Sequence, residues 1–213
     1  FVSNALEQGA VAALVNQEYS TGSSQEIVVH DTIVALGDLA NQWRQQFDIP
    51  IIGITGSNGK TSTKDLVTHA LSKFQSVHAT QGNYNTSIGL PLTLLSMAKS
   101  STIAILEMGA NQPGDIQTLC EIAEPTHGLI TNIAPAHLEG FGTIDSIAQT
   151  KAALFDTLVN GISFVNAADS RILELNVPNE KMTFGLTSDC DFPADIHHEE
   201  DGTITLTVDS QEI

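Results

Sequence analysis

A glycine-rich turn between an apolar strand pattern and a helical one constrains this chain more than any other feature. PIIGIT at 50–55 reads as a strand, GSNGK at 56–60 as the turn, and the residues from about Thr61 to Phe74 as a helix. Phosphate is held by backbone N–H groups of such a turn at a helix N-terminus, with a lysine to neutralise charge and a hydroxyl to ligate magnesium. Gly56, Gly59, Lys60 and Thr61 supply those parts, and Ser57, Asn58 and Ser62 line the same turn. The strict P-loop pattern needs a further glycine where Ile54 stands, so the loop is a shortened or variant one. The competing reading is an ordinary strand-to-helix turn with an exposed lysine.

The alternation around the turn sets the fold class. Strands are expected near 76–79, 102–106, 127–131 and 162–165, and helices near 87–98, 114–123, 143–158 and 169–175. Strands that alternate with helices imply a mostly parallel sheet covered by helices on both faces. After Met182 the pattern changes to short strands, and the Asp-Gly pair at 201–202 ahead of TITLTV at 203–208 predicts an antiparallel edge or hairpin. Upstream, the short apolar runs at 10–15 and 26–29 read as strands that need a sheet to join. A helix starting at Asp31 or Thr32 as N-cap, with Leu36, Leu39, Ala40, Trp43 and Phe47 at helical spacing and Pro50 at its end, reads as a bridge between two domains.

Composition narrows the partners. The 213 residues carry 25 acidic against 8 basic side chains, a net charge of −17, which argues against a general nucleic-acid or anionic-membrane surface. No apolar run approaches the roughly 18 residues of a membrane span. The two cysteines, Cys120 and Cys190, have no spacing of a disulfide framework or zinc site, which fits a reducing, cytoplasmic setting. A chain beginning at Phe1 and ending at Ile213 after a strand-like run reads as a fragment.

With so few cations, Lys60 is the principal fixed positive charge for a triphosphate, and magnesium is expected to supply the rest. Glu107 follows the apolar strand TIAIL at 102–106 and so lies at the carboxyl end of a parallel strand, where α/β sheets bind ligands. Its alternative is a solvated strand-end carboxylate. His137, in TNIAPAHLEGFG, also follows a strand, although a lone loop histidine is by default polar surface. Lys151 lies within a helix in AQTKAALF, where spacing assigns it no role. The loop GNYNTS at 82–87 lies at a further strand end; Asn83, Asn85 or Thr86 could face a substrate there or simply make a turn.

Five blocks, TGSNGKTST at 55–63, GNYNTSIGLPLTLL at 82–95, EMGANQPGDI at 107–116, TNIAPAHLEGFGT at 131–143 and the helix carrying Lys151, together resemble the ATP-dependent Mur ligases of bacterial cell-wall synthesis. Among that family's members, the blocks at 82–95 and 107–116 most resemble the one that joins D-alanyl-D-alanine to UDP-N-acetylmuramoyl-tripeptide. The resemblance implies three domains. Residues 1–47 would be the end of a smaller α/β N-terminal UDP-substrate domain plus the bridging helix, and 48–213 an incomplete central ATP-binding domain of P-loop type. A C-terminal Rossmann-like domain would lie outside the chain, which alone is expected not to turn over.

The resemblance also implies roles. Lys60 would hold the β- and γ-phosphates, Thr61 and Glu107 would ligate one magnesium, and His137 would help place a second. Lys151 matches a position where the family's lysine reacts with carbon dioxide to give a carbamate. The expected cofactors are therefore ATP, two Mg2+ and a carbamylated lysine, in a cytoplasmic monomer. The nearest alternatives are a sister Mur ligase or a folylpolyglutamate synthase. A GTPase-type switch is disfavoured because neither an NKxD tetrapeptide nor a DxxG at switch-like distance occurs, a kinase is disfavoured less strongly, and a non-catalytic nucleotide-binding module stays open.

Overall fold

A computed structural model describes residues 1–136, 138–158, 160–178, 180–198, 201–208 and 211–212, with only the backbone of 138 and 211–212. A short helix α1 (Val2–Glu7) leads to strands β1 (Ala13–Asn16) and β2 (Glu26–Val29), which pair in parallel as a two-stranded sheet of their own among the described residues. Helix α2 (Thr32–Arg44) starts where the sequence predicts, because the Asp31 carboxylate accepts from the backbone N–H groups of Ile33 (2.7 Å) and Val34 (3.1 Å). It ends at Arg44, a turn short of Phe47, whose ring meets that of Trp43 edge-on at 5.4 Å.

The remaining elements follow in the order β3 (Ile51–Thr55), α3 (Lys60–Leu71), β4 (Val77–Ala79), α4 (Gly89–Leu95), β5 (Ile103–Glu107), α5 (Asp115–Ala123) and β6 (His127–Ile130). Then come α6 (Leu138–Phe141), α7 (Ile144–Asp156), β7 (Ile162–Asn166), α8 (Ser170–Leu173), β8 (Glu180–Gly185), β9 (Phe192–His198), β10 (Ile204–Val208) and β11 (Gln211–Glu212). Strands β3 to β11 form one sheet of order β11-β10-β9-β8-β7-β6-β3-β5-β4. Pairing is parallel from β4 across to β9, and antiparallel for β9 with β10 and β10 with β11.

The expected α/β class, with a mostly parallel sheet between helices and an antiparallel edge, is what forms. Several boundaries differ. The parallel order persists past Met182 through β8 and β9, because β8 pairs with β7 from Glu180 onward, so the antiparallel part begins only at β10. The helices expected at 87–98 and 169–175 shrink to α4 and α8, and α1 and α6 are short helices that periodicity did not signal.

Strand β3 lies between β5 and β6 in the parallel sheet, and its Ile51 and Ile54 are fully buried. Gly53 and Gly128 of β3 and β6 lie close under Leu154 of α7, so that a Cβ at either would press on that side chain at 2.9 to 3.0 Å. Arg44 ties α2 to this unit: its guanidinium donates to the carbonyls of Ala123 (2.8 Å) and Glu124 (3.0 Å) at the end of α5, and to Phe47 O (2.9 Å). A buried cation there satisfies open carbonyls and complements the helix dipole. The effect of this packing is to bring the carboxyl ends of β3, β5 and β6 side by side.

Candidate functional site

The turn after β3 takes the shape that phosphate requires. Gly56 has φ +151°, and a Cβ there would lie 1.9 Å from Thr131 Oγ1, so no other residue fits. Gly59, at φ +76°, is the N-cap of α3, and no side chain caps that helix. The positive end of α3 and its first-turn amides therefore face the loop. Lys60 Nζ crosses the mouth and donates to Gly56 O at 2.8 Å. Half-burial lowers its pKa, while the nearby Glu107 carboxylate pulls it back up.

Glu107 ends β5 and is only 2% exposed. Its Oε2 accepts from Thr61 Oγ1 (2.9 Å), its Oε1 from Asn85 Nδ2 (2.7 Å), and its backbone N–H donates to the Thr80 hydroxyl (3.0 Å). A carboxylate held this firmly beside a hydroxyl and a lysine is a ready oxygen donor for a hard cation. Among the described residues no three His, Cys, Asp or Glu side chains gather, so an all-protein metal cage is absent there. One carboxylate and one hydroxyl next to a phosphate loop fit magnesium, which commonly completes its octahedron with substrate phosphates and water.

Lys151, on α7, to which spacing alone assigns no role, is only 4% exposed rather than solvated as a helix lysine is by default. Burial first, and the Lys60 ammonium second, push its pKa down to about 8. The structure thus brings Gly56, Gly59, Lys60, Thr61, Glu107 and Asn85 into one cluster, with Lys151 within electrostatic reach of Lys60. His137 lies outside the described residues.

Ser57 and Asn58 face the other way. Ser57 Oγ donates to Ala134 O (2.8 Å) and accepts from Ala134 N–H (2.9 Å), and Ser57 N–H donates to Asn132 O (2.9 Å). The Asn132 amide accepts from Asn58 N–H (3.1 Å) and donates to Asn58 O (3.0 Å), which also accepts from Thr131 Oγ1 (2.6 Å). Their visible work is to brace the loop against the segment after β6. That segment is anchored in turn, since Asn166 Nδ2 donates to Thr131 O and Ile133 N–H donates to the Asp169 carboxylate. Ser62 is exposed on the first turn of α3, and Asn83 and Thr86 are exposed on the loop before α4.

Sequence reasoning left Asn132 unassigned and missed Thr80. The signal for Asn132 was the pairing of β6 with β3, whose register sets Ile130 beside Thr55 and so carries residues 131–132 alongside 56–57. Beyond Glu107 a cleft of about 490 Å3 is lined by Thr86, Ser87, Gly109, Asn111 and Asp115, among others. Gly109 closes onto Asn85, donating its N–H to Asn85 O at 2.8 Å. Asn85 thus links Glu107 to Gly109 at the lining of this cleft.

The Mur ligase middle domain family matches residues 54–213. The UDP-N-acetylmuramoyl-tripeptide--D-alanyl-D-alanine ligase of Haemophilus influenzae is 36% identical over 222 residues, covering 100% of this chain and 48% of its own length. That of Bacillus subtilis is 35% identical, covering 95% of this chain and 45% of its own. Among solved structures, the MurF ligase of Thermotoga maritima in complex with ADP superposes with a TM-score of 0.86 at 32% identity, over 100% of this chain and 50% of that one. A Mycobacterium tuberculosis folylpolyglutamate synthase, at 15% identity and a TM-score of 0.63, shares the fold alone. The chain spans about half the length of the curated relatives it matches.

Proposed function

The chain belongs to the Mur ligase family, and on that premise we propose that it carries the ATP site of a ligase that joins D-alanyl-D-alanine to UDP-N-acetylmuramoyl-tripeptide. A carboxylate is a poor acyl donor until it bears a leaving group. In this reading the γ-phosphoryl group of ATP passes to the terminal carboxylate of the tripeptide. The amine of D-alanyl-D-alanine then attacks the acyl phosphate, so that ADP and phosphate leave and an amide forms. The observation that carries the reading is the cluster of Lys60, Thr61 and Glu107 at the ends of β3 and β5, with Thr61 Oγ1 2.9 Å from Glu107 Oε2.

The roles follow from position. The Gly56–Lys60 turn and the open N-terminus of α3 bind the phosphates, and Lys60 offsets their charge. Thr61 and Glu107 would hold magnesium, which when bound supplies the charge that lets a carboxylate and a triphosphate approach each other. His137 is the candidate for a second magnesium. Thr86, which lines the cleft, and Asn83, exposed on the same loop, would meet the sugar-peptide, while Asn85 orients Glu107.

Lys151 can become a carbamate because its depressed pKa leaves about a tenth of it as free amine at pH 7, and the free amine is the form that bonds to carbon dioxide, releasing a proton. The product would exchange a cation repelled by Lys60 for an anion. In this reading the protein is a cytoplasmic monomer; the two buried free cysteines fit a reducing compartment, and among the described residues no helix is long and apolar enough to cross a membrane.

The test is phosphate release from ATP and magnesium by a full-length protein carrying these residues. Release should require both UDP-N-acetylmuramoyl-tripeptide and D-alanyl-D-alanine, and Lys60→Ala should lower it roughly 100-fold or more. Release that ignored the dipeptide but answered to another amine would assign a sister ligase instead.

A further inference from the structure

The chain has eight basic residues, and three of them, Arg44, Lys64 and Lys151, are buried. Arg44 closes the end of α5 and Lys151 lies within electrostatic reach of Lys60, but Lys64 has no part in the chemistry above. It lies one turn along α3 from Lys60 and is 6% exposed. Its Nζ donates to Thr80 O at 3.0 Å and lies 2.6 Å from the carboxylate of Asp65, its largely exposed neighbour. An ammonium buried in this way costs stability, and an apolar side chain of similar volume is often no worse a filler. Packing alone therefore does not account for a lysine here.

Its partner points to the reason. Thr80 follows β4 and is fully buried; its N–H donates to Ile105 O (3.1 Å), and its hydroxyl accepts from Glu107 N–H (3.0 Å). Helix α3 therefore reaches the end of β5 by two routes one turn apart. Thr61 touches the Glu107 carboxylate directly, and Lys64 acts on the Glu107 backbone through Thr80. Two fixed points on one helix set the distance between the Thr61 hydroxyl and the Glu107 carboxylate, which must face one cation together.

We propose that Lys64 is a positioning residue for the metal site, strapping α3 to Thr80 so that Glu107 meets Thr61 in the geometry that binds magnesium. The proposal rests on the reading of Glu107 as a magnesium ligand. Calorimetry of ADP binding to a full-length protein carrying these residues, in chelator and across a magnesium series, separates the two claims. Glu107→Gln serves as the reference. Lys64→Met should raise the magnesium concentration that half-saturates the gain in ADP affinity by roughly tenfold, within the 10- to 100-fold usual for lost outer-shell partners, and leave metal-free ADP binding unchanged. Lys64→Arg, which keeps a donor for Thr80 O, should restore most of the response.

An unchanged magnesium response in Lys64→Met, an equal loss of metal-free binding, or no recovery in Lys64→Arg overturns the proposal. If Lys64→Met does not fold, Thr80→Val removes only the hydroxyl in the same path and carries the same expectation. A normal magnesium response in Glu107→Gln overturns both the metal reading and this one. A shifted response there with an unshifted one in Lys64→Met overturns the role of Lys64 alone.

Discussion

The loops at 56–61 and 82–88 lie at the same end of the same sheet and are built very differently. The first is held from both sides: Gly56 is boxed in by Thr131, and Ser57 and Asn58 bond to Asn132 and Ala134. The second rests on fewer points, chiefly Asn85 against Glu107 and Gly109, and the close approach of Gly89 to the Tyr84 backbone, while Asn83, Tyr84, Thr86 and Ser87 stay exposed. A loop that presents backbone N–H groups to phosphate must be rigid before the ligand arrives, because a misplaced amide is no donor. A loop that meets a larger substrate with side chains can be ordered by that substrate.

The contrast can be attacked from its strongest point downward. Gly56→Ala drives a methyl group into Thr131 and should weaken ADP binding about 100-fold by calorimetry, since a displacement of about 1 Å at a positioned site costs that much. Near-normal binding would mean that the loop is softer than its bracing suggests.

Lys151 tests the charge on the same side of the cleft. Its folded pKa of about 8 lies below the ordinary lysine value of 10.5, so between these pH values the unfolded chain binds more protons than the folded one. Stability in carbonate-free buffer should therefore rise as pH climbs from about 8 to 10.5, by on the order of 3 kcal/mol. The cost is fully present below pH 8. Denaturant titrations of the chain and of Lys151→Met should differ by that slope, and superimposable pH profiles would show that Lys151 is not held unfavourably.

Asn132→Ala removes the brace without touching phosphate and should cost about 1 kcal/mol, several-fold in ADP affinity. Asn83→Ala, on the open loop, should change ADP affinity by less than about 0.5 kcal/mol and act instead on the KM for the UDP-linked substrate. If Asn83→Ala weakened ADP more than Asn132→Ala did, the assignment of the two loops would be reversed.

How far the sequence reached follows the same division. Gly56, Gly59, Lys60 and Thr61 were legible because backbone conformation and phosphate charge demand those residues at those places. Glu107 was legible from its position after an apolar parallel strand. Asn132 and Thr80 were not, and Asn85 was singled out only as a candidate substrate contact and not as a partner of Glu107, since asparagine and threonine also make ordinary turns, and their work depends on which strand ends lie side by side. The pairing of β3 with β6 brings 131–132 beside 56–57, and that of β4 with β5 brings Thr80 beside Glu107. No local pattern encodes that neighbourhood. Lys151 was placed by resemblance rather than by periodicity, and the fold explains it by burying that face of α7.

The central claim is that this loop delivers the γ-phosphoryl group of ATP to a carboxylate. It is tested most directly with UDP-N-acetylmuramoyl-tripeptide labelled with 18O in its terminal carboxylate, ligated to D-alanyl-D-alanine by a full-length protein carrying these residues. The account predicts that mass spectrometry finds one labelled oxygen in each inorganic phosphate released. Amide formation with phosphate free of label would show that the carboxylate is never phosphorylated, and would contradict the account.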